Sequence, residues 1–362
     1  VIRPGITVRR YSNNDITWEI ARKLNLGFEM RLFDKVELQV DYFTENRSNI
    51  LLERTNLPSS MGLEASVEAN VGRAKSHGVE GALTYQHSFS EDFWLSANAN
   101  FTYATSEFLV ADEPDYAASG LPWRSRIGYS LNQQWGYIAE RLFIDETDIA
   151  NSPIQTFGPY MPGDIKYKDI NRDGKIDESD LVPIGYPTEA EINYGFGATL
   201  GYKGFDFSFF FNGLGRKTFF IDAQQMAPFN NPPVTAAGVG GYTRKTALFK
   251  EFADSHWSES NPDIYAVWPR LSTDAYDNSN NYQQSTWWMR NGSFLRLKLI
   301  ELGYTLPHNL TRKIRIEDLR IYVSGEDLFA GSNFKMWDVE MGGMGIGYPI
   351  QKKFNIGLQV KF

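Results

Sequence analysis

Over long stretches of this chain apolar and polar residues exchange places at every step, and a period of two is the mark of a strand with two different faces. In the last segment Phe354, Ile356, Leu358, Val360 and Phe362 alternate with Asn355, Gly357, Gln359 and Lys361. Ile192, Tyr194, Phe196, Ala198, Leu200 and Tyr202 alternate in the same way with Asn193, Gly195, Gly197, Thr199 and Gly201. After Gly204 the apolar positions are Phe205, Phe207, Phe209 and Phe211. Similar runs near 18–31, 35–46, 74–89, 93–107, 122–131, 133–144, 292–306 and 317–329 bring the expected total to about eleven strands. Each is close to the ~9–11 residues that cross a bilayer at a tilt. One run changes phase: Leu295, Leu297 and Leu299 share a face, but the set continues as Ile300, Leu302, Tyr304 and Leu306. One inserted residue swaps the faces, so a β-bulge is expected near Leu299–Ile300.

A soluble β-sandwich alternates too. Two features favour a membrane barrel over it. The apolar positions are heavy in Phe, Tyr and Leu, and aromatic residues make up 15% of the chain, which suits a lipid face with aromatic girdles. The connections also alternate in length, as they do between the short periplasmic turns and long external loops of outer-membrane barrels. Short turns are expected near 32–34, 90–92, 132, 204 and 307–316, and long loops near 47–73, 108–121, 145–189, 217–291 and 330–351. The expected fold is therefore all-β, an antiparallel transmembrane β-barrel with long extracellular loops. No run approaches the ~18 apolar residues of a spanning helix. With short turns periplasmic, Phe362 sits at the periplasmic rim and residues 1–17 lie on the outer side. About eleven strands cannot close an even-numbered barrel by themselves, and edges open to lipid are costly, so partner strands are expected.

Composition closes off other classes. There is no cysteine and the net charge is −8, which excludes thiolate metal sites and argues against a nucleic-acid partner. Val1 to Arg10 carries three Arg and no apolar core, so it does not read as a secretory signal and the chain is expected to be part of a longer polypeptide. His77, His87, His256 and His308 have no metal spacing and no nucleophile pattern nearby. No catalytic site is expected.

Several stretches together resemble the SusC/RagA-like family of TonB-dependent outer-membrane transporters. They are Asn291-Gly-Ser-Phe-Leu-Arg-Leu-Lys298, Leu302-Gly-Tyr-Thr-Leu-Pro307, Leu319-Arg-Ile-Tyr-Val-Ser-Gly-Glu-Asp-Leu-Phe329 and Gly347-Tyr-Pro-Ile350. Upstream, Ile16-Thr-Trp-Glu19, Asp41-Tyr-Phe43 and Gly78-Val-Glu-Gly81 have the same look, in the same order. The resemblance implies a 22-stranded barrel of which this chain supplies the C-terminal half, with a plug and TonB box outside it. It implies energy from TonB, a SusD-like surface lipoprotein as lid, and import of oligosaccharides or, in some members, oligopeptides. A passive porin is the alternative.

Two loop features carry candidate chemistry. Asp169-Ile-Asn171-Arg-Asp173-Gly174-Lys175-Ile-Asp177-Glu-Ser-Asp180 has the oxygen spacing of an EF-hand loop, with the Lys175 carbonyl at the seventh position and Gly at the sharp turn. Hard oxygens at this spacing suit Ca²⁺. Asp180 replaces the usual bidentate Glu, which admits Mg²⁺ as the less favoured ion. The bland alternative is an empty turn held by Asx hydrogen bonds. Loop 217–291 carries Trp257, Tyr265, Trp268, Tyr276, Tyr282, Trp287 and Trp288. Trp257, Trp268, Tyr282, Trp287 and Trp288 are the candidates for stacking on a substrate; packing inside the loop is the alternative. Arg296, Lys298, Arg320 and Glu326 are expected to line the lumen.

Overall fold

The computed structural model describes residues 8–9, 11–229, 247–273 and 279–362. Tyr276, residues 1–7 and 10 of the expected outer segment 1–17, and part of loop 217–291 lie outside them. Nine strands form one meandering antiparallel sheet. They are β1 (Ile20–Leu32), β2 (Val36–Glu53), β3 (Glu68–Ser88), β4 (Phe93–Val110), β5 (Ile192–Tyr202), β6 (Phe205–Gly215), β7 (Phe294–Thr305), β8 (Asp318–Ser332) and β9 (Lys353–Lys361). Each strand pairs with its neighbours in chain order.

The count corrects the expectation of about eleven. The runs 122–131 and 133–144 do not join the wall. Pro122–Arg124 is a 3-10 turn, and Gly128 breaks the pleat at φ +82°. Beyond it Gln134–Gly136 and Ala139–Leu142 pair with Val182–Ile184 and Ile165–Tyr167 inside the loop. Leu142 and Phe143 are adjacent and both fully buried, which no two-faced strand allows. Here alternation reported an apolar neighbour, not lipid. Because the lost pair was one expected hairpin, loops 108–121 and 145–189 merge into a single connection, 111–191. The up-and-down order of the remaining strands is unchanged, so β9 still runs toward the side of the short turns.

Loop 47–73 also shrinks, to 54–67, because β2 and β3 extend to 18 and 21 residues. That is well beyond the ~9–11 needed to cross a bilayer, so this hairpin stands clear of the membrane. The expected bulge is present one residue early. Lys298 is skipped in the ladders of β7 with both β6 and β8. Across from it Asp327 takes φ +54°, and Lys298 Nζ donates to Asp327 Oδ1 at 2.9 Å.

The two sheet faces differ in chemistry. One presents Leu26, Tyr42, Val79, Tyr103, Phe207, Leu302, Ile321 and Leu358. The other presents Asp41, Glu80, Asn98, Thr199, Asp206, Glu301 and Arg320. The hydrophobic core lies in neither. It is built by the external loops, around Tyr137, Leu142, Ile165, Tyr167, Ile176, Phe252, Trp268, Trp288, Phe334 and Val339.

Candidate functional site

The long loops leave the wall and fold into one layer against each other. The β6–β7 connection first prolongs its hairpin as Thr218–Phe220 paired with Met289–Asn291. Phe219, Ile221 and Met226 then turn into the loop core. A buried polar network ties this connection to loop 111–191. Gln155 Nε2 donates to Asn280 Oδ1 at 2.6 Å, and Gln155 Oε1 accepts from Tyr167 N at 2.7 Å. Asn281 Oδ1 accepts from Ile165 N at 2.8 Å. Asp164, with no exposed surface, lies 2.7 Å from Arg270 Nε and accepts from Asn281 Nδ2 at 2.7 Å. Burial pushes the Asp164 carboxyl up, against the pull of Arg270. Burial pushes the Tyr137 hydroxyl up to about 12 and raises Tyr167 further still. A buried hydrogen-bonded network of this kind favours one arrangement of the groups it joins. Sequence reasoning missed it, because Asn, Gln and Asp in a long loop read by default as solvated.

The candidate aromatic residues fall mostly within this core. Trp288 is 2% exposed, Trp268 4% and Trp257 9%. Trp268 lies between Phe252 and Trp288, with ring centroids 4.3 and 4.7 Å away. Trp288 Nε1 donates to Asn281 O at 2.7 Å. Tyr282 and Trp287 are half-buried against the same cluster. Tyr265 is 69% exposed. In this arrangement the three buried indoles hold the loops together, and their faces meet other side chains.

The Asp169–Asp180 loop forms its turn as the spacing predicts. Asp169 accepts from Arg172 N at 2.6 Å and Gly174 N at 2.9 Å, and Gly174 takes φ +87°. Asn171 and Asp173 make the succeeding Asx bonds, to Asp173 N and Lys175 N. The closing half is directed elsewhere. Asp177 caps the 3-10 turn Glu178–Asp180 through Ser179 N at 2.8 Å. Asp180 is fully buried and accepts from Ile170 N at 2.7 Å and Asp177 N at 2.9 Å. Among the described residues no three His, Asp or Glu side chains are gathered to hold a metal.

The polar face of the wall carries charge in pairs. Arg320 Nε donates to Asp206 Oδ2 at 2.9 Å, and its Nη2 donates to Glu301 Oε1 at 2.6 Å. Lys353 reaches Glu326 at 3.3 Å. Arg296 is 2% exposed and chelates Asp338 at 2.6 and 2.7 Å, with Glu340 beside it. This cluster straps the β8–β9 loop onto the wall. The four residues expected to line the lumen are thus on or beside the polar face, each with an opposite charge.

Residues 2–328 match the family described as TonB dependent receptor-like, beta-barrel. The chain belongs to that family. Its members are outer-membrane proteins, which places this wall in a bacterial outer membrane and its strands across it. Among curated proteins it is similar to TonB-dependent receptor P26 of Formosa agariphila, at 28% identity over 99% of this chain and 36% of that protein. It is also similar to TonB-dependent receptor SusC of Bacteroides thetaiotaomicron, at 23% identity over 97% of this chain and 32% of the relative. The chain therefore spans about a third of the length of these relatives. Among solved structures it resembles the RagAB peptide importer in its open-open state, with a TM-score of 0.64 at 21% identity, over 99% of this chain and 36% of that one. At that identity the likeness concerns the fold. It agrees with a two-faced antiparallel wall bearing long loops on one side.

Proposed function

We propose that this chain is wall and external loop layer of a TonB-dependent active importer that carries oligomeric nutrients across the outer membrane. The observation that supports it most is the pairing of a charge-lined inner face with folded external loops, one of them fastened to that face by Arg296. A passive pore has no need of such a layer. Oligosaccharide remains the first substrate class in this reading, on the family resemblance. Its second support weakens, because the indoles that would stack on sugar rings are largely buried. Oligopeptide is the second reading, favoured by the likeness to a structure described as a peptide importer. The proposed partners are a plug, TonB and a SusD-like lipoprotein lid over the loops. Uptake by cells carrying the full-length protein, with a panel of oligosaccharides and oligopeptides, tests this. Uptake of one class should vanish on removal of TonB; uptake that persists without TonB overturns active import in favour of a porin.

The Asp169–Asp180 loop is proposed to take Ca²⁺. Its first three oxygens are gathered by the turn at Gly174. A cation must draw Asp177 and Asp180 toward it from their backbone donors, so a weak site is expected, of the ~0.1–1 mM kind found in extracellular modules. Millimolar Ca²⁺ should raise the melting temperature and EDTA should reverse it. No shift with either removes the ion from the reading.

A further inference from the structure

On the apolar face of β1 to β4, lipid-facing positions change character at one common row. Leu26, Tyr42, Val79 and Tyr103 are register partners across the four strands. One step outward the partners are Leu24, Thr44, His77 and Thr105, and one further they are Arg22, Asn46, Lys75 and Glu107. Arg73 follows Lys75 on the same face of β3. Tyrosines sit at a membrane's polar boundary because the ring is apolar and the hydroxyl is wet. Since long loops mark the external side, the cations stand at the level of the outer leaflet's headgroups. Arg22 and Arg73 are exposed and Lys75 half-buried. Among the described residues none of the three has an ion-pair partner. The opposing charge on this face is Glu107, directly across from Lys75. Beside the row, Arg216 is already paired with Glu191 at 2.5 Å and lies over the Tyr186 ring. Between them is a hollow of about 320 Å³ lined by His77, Thr105, Glu107, Tyr129, Tyr186 and Arg216. His77 Nδ1 is buried there without a partner.

We infer that Arg22, Arg73 and Lys75 bind the phosphate of an acidic lipid headgroup in the outer leaflet, with the acyl chains lying over Leu24, Leu26, Tyr42 and Val79. Three cations against Glu107, with Glu191 already neutralised by Arg216, leave a positive surface at the depth where lipid phosphates lie, and the apolar rows beneath it fit the chains. His77, one row inward of Lys75, offers a ring nitrogen in the neighbouring hollow, which the three cations border from outside. A free anion has the charge but not the second contact, so the proposed ligand is the lipid.

The full-length protein in nanodiscs of phosphatidylcholine, with and without phosphatidic acid, tests this, with native mass spectrometry counting retained lipid. The wild type should retain phosphatidic acid over phosphatidylcholine, less so as salt rises. Replacing Arg22, Arg73 and Lys75 by Gln should weaken retention by roughly fivefold for each cation removed. Glu107→Gln removes the opposing charge and should strengthen it, a gain that misfolding cannot mimic. Heat-modifiable mobility on gels reports that the triple variant keeps its wall. Equal retention by the triple variant overturns the proposal, as does an unchanged Glu107→Gln. Displacement of the lipid by inorganic phosphate at matched concentration overturns it in favour of a free-anion site.

Discussion

Replacing Trp268 by Ala separates a packing role from a ligand-stacking one. The indole is 96% buried, the complement of its 4% exposure, and it touches Phe252 and Trp288. A Trp side chain buries ~150–250 Å², and at ~25 cal/mol per Å² that is ~4–6 kcal/mol. The extended-chain reference overstates this by ~10–40%, which gives ~3–5 kcal/mol, in line with measured Trp-to-Ala losses. The loss should fall on the loop layer and leave the sheet intact, since the wall joins the cluster around Trp268 only at the outer ends of β6 and β7, through Leu214 and Phe294. Hydrogen exchange should therefore rise at Ile165–Tyr167, at Thr218–Phe220 and around Trp288, while β3, β4 and β5 keep their protection. Tyr265→Ala, at an exposed ring, should change exchange by almost nothing. The reasoning is refuted if Trp268→Ala leaves loop protection unchanged and yet abolishes uptake, for then the ring serves the cargo.

The remaining predictions follow from single contacts. Arg320→Met leaves Asp206 and Glu301 facing each other without their shared cation, and denaturant unfolding should register a loss of ~2 kcal/mol, below the ~3–5 of a fully buried pair because all three side chains are about a fifth exposed. Adding Asp206→Asn and Glu301→Gln should recover most of it; no recovery would mean that the arginine acts by packing alone. Gly163→Ala and Gly174→Ala both place a side chain at positive φ, a strain of ~1–2 kcal/mol, but only at Gly163 does the new Cβ run into a neighbour, the Trp257 ring. Loop exchange should accelerate far more for the first than for the second. Asp148 is held well below the usual carboxylate range, first by the hydrogen bonds from Arg141 and then with help from Lys166. With the native pKa depressed, its contribution is present above the unfolded value of ~4 and is lost as pH falls from there toward the folded value. Proteolysis of loop 111–191 should accelerate on acidification across that window, and Asp148→Asn should remove this part of the pH dependence.

The wall was legible because lipid and lumen impose a strict period of two on every crossing strand. β9 was readable residue by residue, and the phase slip in β7 located a bulge to within two residues. Reading failed where a period of two arose from another cause. The stretch 122–144 alternates over short spans because loop strands also have a buried side, and sequence does not say whether an apolar side chain faces lipid or a loop core. Leu142 beside Phe143 was the local sign that this stretch was no crossing strand. The aromatic loop residues were visible, and their burial was not: Trp268 packs on Phe252 and Trp288 of its own connection, but that connection is closed against loop 111–191 by polar pairs more than a hundred residues apart. Gln155 with Asn280 and Asp164 with Asn281 are of that kind.

An open sheet in lipid has a problem that its own side chains cannot solve. Among the described residues no strand lies beside the outer edge of β1 or of β9, and each open N–H or C=O there costs several kcal/mol in a medium without water. Over the 13 residues of β1 alone, that cost exceeds the ~5–15 kcal/mol by which a typical domain is stable. Both edges must therefore meet strands beyond these nine, and the number of such strands is odd if the barrel has the even count of bacterial outer-membrane barrels. The loop layer faces no such demand, because its backbone groups are met by its own short ladders and by Gln155, Asn281 and Asp164. The two parts thus differ in what completes them. The wall depends on neighbouring strands, whereas the loop layer already encloses a core and brings a formed surface to whatever docks on it.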